Sequence, residues 1–152
     1  NCPGQTVIAG AAGAVEKACA ALKEAGAKRA IMLNVSAPFH SSLMEPAAQK
    51  LKKVLDKIEI KDAEIPVIAN VNALAETKAA DIRTHLVEQA ARAERWEESV
   101  RNLIAGGMDT MVECGPGTVL SGFMRKIDKS IVSYHAENIE TIIETVQALK
   151  GV

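Results

Sequence analysis

One histidine of this chain, His40, lies in a sequence setting that favours chemistry. It falls in the run Pro38-Phe39-His40-Ser41-Ser42, which we predict to be a loop between a strand and a helix. An imidazole in such a loop can act as a general base, because its unperturbed pKa is close to neutral pH. A surface or helix-capping histidine is the plainer interpretation of a lone loop histidine, and position alone leaves both open.

A serine nucleophile is missing from the neighbourhood of this histidine. Ser41 and Ser42 stand just before a predicted helix, where adjacent serines are typical N-caps. A nucleophilic serine of an α/β protein usually occupies a G-x-S-x-G elbow, and no such motif occurs in the 152 residues. If His40 is a general base, its nucleophile is therefore not in this chain.

The remaining polar candidates favour structural roles. His85 is predicted to be a solvated helix position, and His135 follows a strand candidate at which it could line a cleft. The three histidines show no HxxxH or HExxH spacing, so no metal site is expected. Gly115-Pro116-Gly117 is either an anion site at a helix N-terminus or, the stronger interpretation, a tight strand-to-helix turn.

The composition narrows the class of protein. Hydrophobic residues make up 48% and charged residues 24% of the chain, as in a typical globular domain. The net charge of -1 gives no footprint for nucleic acid or anionic membrane, and no apolar run reaches the length of a membrane span. Three cysteines without CxxC spacing favour neither a disulfide framework nor zinc, so we expect a reducing, cytoplasmic location and no signal peptide.

Predicted strands and helices alternate along the chain. The strands are expected at residues 6–9, 30–33, 65–71, 110–113 and 131–134, and the helices at 12–25, 46–58, 79–93, 96–105, 119–127 and 139–149. The buried stripe of the second helix is predicted to comprise Ala47, Leu51, Val54, Leu55 and Ile58. This alternation predicts an α/β fold with a largely parallel sheet in the later part.

Three segments resemble malonyl-CoA:acyl-carrier-protein transacylases. Residues 1–10, NCPGQTVIAG, resemble the family's NSPGQ segment, and residues 35–44, VSAPFHSSLM, resemble the stretch around its catalytic histidine. Residues 112–120, VECGPGTVL, resemble its late E-x-GPG-x-VL turn. The three motifs stand in the family's order and at its spacing, and the resemblance covers essentially the whole chain.

The resemblance implies a two-subdomain fold of which this chain is the C-terminal half. Residues 1–37 would be the C-terminal part of a ferredoxin-like small subdomain, and residues 38–152 the C-terminal part of an α/β-hydrolase-like acyltransferase core. Three family parts should precede Asn1: a PGQG segment of the oxyanion hole, a GHSxGE elbow with the serine, and an arginine for the malonyl carboxylate. Without them we expect this polypeptide to be inactive alone.

The resemblance also implies an activity and site residues. The family moves malonyl from malonyl-CoA to the phosphopantetheine thiol of acyl carrier protein by a ping-pong serine/histidine mechanism, with no permanently bound cofactor. His40 would be the general base and acid, and the main-chain carbonyl of Gln89 would orient it. Asn1 and Phe39 would contribute to substrate binding, with Phe39 crowding out an α-methyl branch.

One segment departs from the family pattern. After Gln89 the family usually has a proline shortly before the tryptophan, whereas residues 90–96 here read AARAERW. The helix that begins at Ala79 is therefore expected to continue to about Ala93, which conflicts with a free Gln89 carbonyl. Two alternatives stay open: an acyltransferase domain of a polyketide synthase, and a non-catalytic fragment that binds acyl carrier protein.

Overall fold

The computed structural model describes residues 1–151, which form a mixed helix and strand fold. The helices are α1 (Ala12–Glu24), α2 (Glu45–Leu55), α3 (Ala79–Glu88), α4 (Trp96–Ala105), α5 (Val119–Ile127) and α6 (Ile139–Lys150), and a 3₁₀ turn spans Ser42–Met44. The strands are β1 (Val67–Ile68), β2 (Ala75–Glu76), β3 (Thr110–Cys114) and β4 (Val132–Ala136). The predicted α/β class is confirmed.

The chain divides into two compact units. The terminal unit contains Asn1–Thr6 and the chain from Trp96 onward, and the central unit contains Val7–Arg95. The subdomain boundary predicted between residues 37 and 38 concerns a complete two-subdomain protein, and it remains a prediction.

The terminal unit is a β-α-β arrangement with a small apolar core. Strands β3 and β4 pair in parallel, from Thr110 opposite Val132 to Cys114 opposite Ala136, as predicted for the later part of the chain. Helix α5 connects the two strands and packs against α4 and β4. The core of the terminal unit consists of the buried side chains of Cys2, Val100, Met124 and Ile127.

Both ends of the last helix are capped, the first by side chains and the second by a glycine backbone. Asn138 accepts a hydrogen bond from the backbone N–H of Thr141 at 3.0 Å, and the Thr141 hydroxyl accepts one from the backbone N–H of Asn138, also at 3.0 Å. This reciprocal capping box begins α6 at Ile139. Gly151 ends the helix with φ 70°, a left-handed conformation that glycine adopts without steric cost.

The central unit contains α1, α2, α3 and the antiparallel pair β1–β2. Arg83 on α3 donates to the carbonyls of Leu55 and Ile58, which joins α3 to the end of α2. Among the described residues, the fully buried hydrophobic positions of this unit are all alanines: Ala48, Ala69, Ala73 and Ala91. The larger apolar side chains of this unit therefore stay partly or largely exposed.

Several predictions for the central unit were wrong. Residues 6–9 and 30–33 are not strands, and the segment at 65–71 contains only the two-residue strand β1. A strand requires a second strand beside it to complete its hydrogen bonds, and within residues 1–151 neither segment has one. Helix α2 ends at Leu55, not at Ile58. Its buried residue is Ala48, and the predicted stripe residues Ala47, Leu51 and Val54 are exposed.

No helix among the described residues is both long enough and apolar enough to cross a membrane.

Candidate active site

The loop before α2 holds His40 in an unusual backbone conformation. The φ angle of His40 is 57°, in the left-handed region that non-glycine residues rarely adopt and that often marks functional sites. The hydroxyl of Ser41 donates to the carbonyl of Pro38 at 2.6 Å, which closes the turn around His40. Ser41 thus holds the loop through Pro38, and its side chain does not make the N-cap hydrogen bond that was predicted.

The ring of His40 contacts the main chain at the end of α3. Its Nδ1 lies 3.0 Å from the carbonyl oxygen of Gln89, a residue 49 positions away in sequence. A carbonyl oxygen only accepts hydrogen bonds, so Nδ1 must carry the proton in this contact. In the neutral ring Nε2 then keeps a free lone pair, which is the state required of a general base.

The Gln89 carbonyl is free because α3 ends earlier than predicted. The helix stops at Glu88, and Gln89 is its C-cap. The last carbonyls of a helix have no partner within the helix and are open to other donors. The chain then makes tight turns, in which the N–H of Ala90 bonds to Val87 and that of Ala91 to Glu88. The expected continuation of the helix to Ala93 was wrong.

A tertiary hydrogen bond replaces the helix beyond this point. The backbone N–H of Arg95 donates to the carbonyl of Asn70 at 2.9 Å, and its guanidinium donates to the carbonyl of Asn72 at 3.2 Å. These contacts draw residues 92–95 toward the β1–β2 turn. They explain why good helix formers in AARAE do not extend α3, since tertiary contacts outweigh intrinsic propensity.

Glu94 is a site neighbour that the sequence did not reveal. Its Oε1 lies 3.6 Å from Nε2 of His40, the ring nitrogen that does not contact Gln89. The two side chains are about half exposed, with 40% of His40 and 47% of Glu94 accessible. The only signal in the sequence was the departure from the family pattern after Gln89, which gave no reason to single out Glu94.

The two predicted substrate-binding residues lie in different units. Phe39 precedes His40 in the central unit, and its side chain is 48% exposed. Asn1 belongs to the terminal unit and is partly buried. Their roles in substrate binding remain predictions.

His85 is not the solvated helix position that was predicted. Its Nδ1 pairs with the carboxylate of Glu76 on β2, and its Nε2 lies 3.4 Å from the side-chain amide of Asn72. Only 22% of the His85 side chain and 9% of the Glu76 side chain are accessible. His85, Glu76 and Gln89 all line one cavity of about 230 Å³.

Glu113, near the end of β3, places a carboxylate at the start of α5. The carboxylate of Glu113 accepts the N–H groups of Leu120 and Ser121, at 2.9 and 2.7 Å, at the start of α5. Burial of Glu113 opposes its ionisation, but these bonds and one from the Ser121 hydroxyl hold the pKa of Glu113 below its usual value. This observation favours the tight-turn interpretation of Gly115–Gly117, because an internal carboxylate occupies the helix N-terminus.

Within residues 1–151, no group of three or more histidine, cysteine, aspartate or glutamate side chains is arranged so that it could hold a metal ion.

Comparisons with known proteins agree on one group of relatives. The chain is 53% identical over 150 residues to a malonyl CoA-acyl carrier protein transacylase of Bacillus subtilis, covering 99% of this chain and 47% of that protein. An acyl-carrier-protein S-malonyltransferase structure from Burkholderia pseudomallei matches with a TM-score of 0.84 and 41% identity, over 88% of this chain and 43% of the other. No family model matches the chain.

A third relative is a complex. A malonyl-transacylase solved with a type II PKS acyl-carrier protein matches with a TM-score of 0.85 and 39% identity, over 93% of this chain and 45% of that one. The chain spans about half the length of the curated relatives it matches. The fold is thus that of an α/β protein similar to transacylases and S-malonyltransferases. Over nearly its whole length, the chain is homologous to malonyl CoA-acyl carrier protein transacylases.

Proposed function

We propose that the whole protein transfers malonyl from malonyl-CoA to the phosphopantetheine thiol of acyl carrier protein, in fatty acid biosynthesis. The observation that carries the proposal is the hydrogen bond from Nδ1 of His40 to the Gln89 carbonyl. It leaves Nε2 of the neutral ring unprotonated, as acyl transfer by a serine/histidine pair requires. The homology to transacylases and S-malonyltransferases supports the choice of acyl group and carrier.

In this mechanism His40 moves one proton in each half-reaction. Its Nε2 takes the proton of a serine hydroxyl as that oxygen attacks the thioester carbonyl of malonyl-CoA. The protonated ring then gives the proton to the departing CoA sulfur, leaving malonyl as a serine ester. In the second half-reaction His40 takes the proton of the phosphopantetheine thiol, whose sulfur attacks the ester, and returns a proton to the serine oxygen.

The nucleophilic serine is proposed to lie in a part of the protein outside these 152 residues. The structure supports this proposal in one respect: Ser41 is bonded to Pro38 and holds the His40 turn. Asn1 and Phe39 are proposed to line the acyl-binding cleft of the whole enzyme. The 48% exposure of Phe39 is compatible with that role, since its ring is open to a ligand or another segment.

The finer fold assignment belongs to the same proposal. We infer that residues 38–152 are part of an α/β-hydrolase-like core, and that residues 1–37 are part of a ferredoxin-like small subdomain. The parallel pair β3–β4 with its connecting helix supports the first assignment. We also propose a cytoplasmic enzyme without a permanently bound cofactor, in keeping with the three free cysteines and with substrates that carry their own thiols.

The carrier is open to a second interpretation, because one relative was solved with a type II PKS acyl-carrier protein. A polyketide carrier would require the same chemistry at His40. Rates of malonyl transfer to a fatty acid carrier and to a polyketide carrier, measured with the same enzyme, separate the two pathways.

The test of the proposed function uses the whole protein, including the segment proposed to carry the serine. We expect this protein to form a malonyl-serine ester, seen by mass spectrometry, and to pass radiolabelled malonyl from malonyl-CoA to holo acyl carrier protein. His40→Ala should slow ester formation about 10²- to 10⁴-fold, the usual contribution of a general base. Ser42→Ala, at the exposed neighbouring turn, is the matched control. Undiminished acylation in His40→Ala would refute the role of His40, and carrier binding without any transfer would favour the non-catalytic alternative.

A further inference from the structure

The second ring nitrogen of His40 faces a carboxylate that the proposed mechanism has not used. Oε1 of Glu94 lies 3.6 Å from Nε2 of His40. In the neutral ring Nε2 has only a lone pair, and an ionised carboxylate has no proton to donate, so the two groups form no hydrogen bond in that state. The separation of 3.6 Å is within range of an ion pair, and the attraction arises when Nε2 carries a proton and the ring a positive charge.

The backbone on both sides of Glu94 is held by hydrogen bonds, which places its Cα near His40. On one side, the N–H of Arg92 bonds to the carbonyl of Glu88 at 3.0 Å, and Ala91 is buried. On the other side, the N–H of Arg95 bonds to the carbonyl of Asn70 at 2.9 Å. The turn that frees the Gln89 carbonyl therefore also brings Glu94 near the second ring nitrogen of the imidazole.

We propose that Glu94 is a positioning residue that stabilises the protonated form of His40. The inference rests on the proposed function for its catalytic consequence. When Nε2 takes the serine proton, a new N–H bond forms, the O–H bond breaks, and its electron pair stays on the attacking oxygen. The ring gains a positive charge at that moment, and Glu94 supplies a full negative charge beside it.

Gln89 and Glu94 divide between them two tasks that one carboxylate performs in many serine/histidine triads. The Gln89 carbonyl is a neutral acceptor, so it selects the Nδ1–H tautomer but offers only a dipole to the imidazolium. Glu94 makes no hydrogen bond that selects the tautomer, but it carries the charge. Because both side chains are about half exposed, solvent and salt screen their attraction, and the effect is modest and salt-dependent.

The kinetic test uses the protein that includes the serine-bearing segment. Single-turnover acylation by malonyl-CoA is measured for the wild type, Glu94→Gln, Glu94→Asp and the matched control Glu64→Gln, which alters an exposed glutamate of the same unit. At low salt we expect Glu94→Gln to be about two- to five-fold slower, as for a screened ion pair. Glu94→Asp should keep part of the rate, and about 1 M salt should remove the difference from wild type. A Glu94→Gln rate equal to or above wild type, or a salt-independent deficit, would overturn the proposal.

A second measurement keeps this inference separate from the proposed function. Imidazole ¹⁵N spectra are recorded at about pH 5.5, between the ordinary pKa ranges of carboxylates and of imidazoles. We expect the Nε2 resonance of His40 to move in Glu94→Gln and to stay in place in Glu64→Gln. If the wild type transfers no malonyl, the proposed function fails, and a moved resonance still supports the Glu94–His40 pair. An unmoved resonance refutes the pair whatever the activity.

Discussion

Nδ1 of His40 donates a hydrogen bond to the main-chain carbonyl of Gln89 at 3.0 Å, across 49 residues of sequence. The contact joins the loop before α2 to the end of α3. His40 lies on a turn with a left-handed backbone conformation, and the Gln89 carbonyl has no partner within its own helix. The orientation of the catalytic candidate therefore depends on backbone geometry at residue 89.

The importance of backbone geometry at Gln89 can be tested with a proline at the next position. Proline at 90 disfavours the helical conformation of the preceding residue, and Gln89 now has φ -63° and ψ -18°. Ala90→Pro should therefore turn the Gln89 carbonyl away from His40 and slow acylation by up to about a hundredfold in the serine-containing protein. Gln89→Ala is the matched comparison, because it keeps the carbonyl, and we expect its rate to stay within a few-fold of wild type. Equal losses in both variants would show that the side chain, not the carbonyl, matters.

The Glu113 carboxylate at the start of α5 should make stability depend on pH. Its pKa in the folded protein is lowered from the ordinary 4.5, so the ionised form stabilises the fold above that value. This contribution should disappear as the pH falls below 4.5 and through the lowered pKa. Glu113→Gln should cost about 1–3 kcal/mol at neutral pH, and the deficit relative to wild type should shrink on acidification.

Urea unfolding of both proteins at a series of pH values measures that effect. Glu137→Gln, an exposed change near the end of β4, serves as the control. A difference between wild type and Glu113→Gln that stays constant from neutral to acidic pH would contradict the role assigned to the ionised carboxylate.

Met124 is expected to be the most sensitive core position of the terminal unit. Its side chain is 1% exposed and packs in the cluster with Cys2, Val100 and Ile127. Met124→Ala removes buried methylene and sulfur contacts and leaves a cavity, so we expect a loss of about 2–5 kcal/mol in the free energy of unfolding. Val119→Ala, on the same helix but 62% exposed, should change it by less than about 1 kcal/mol. Similar losses in the two variants would contradict the packing described for α5.

The sequence alone was a good guide to the terminal unit. Helices α4 and α5 begin and end at the predicted residues, and β3, β4 and α6 differ from prediction by one or two. The signals used for this unit are local: apolar periodicity, the Gly106-Gly107 stop and the alternation of strand and helix. In this unit the secondary structure that the local sequence favours is also the one present in the fold. His40 and Gln89 were singled out through the family motif, and their hydrogen bond is present in the structure.

The central unit shows where local signals were insufficient. The residues at 6–9 and 30–33 have strand-like composition, yet a strand exists only when a partner completes its hydrogen bonds, and composition does not reveal the partner. Helix α3 stops at Glu88 although the residues that follow favour helix, because Arg95 bonds to Asn70 and Asn72. Tertiary contacts also place Glu94 beside His40 and Glu76 beside His85, and local sequence patterns do not reveal either pair. Sequence determined which residues have side chains or carbonyls suited to a general-base site, and tertiary contacts decided which atoms of those residues face one another.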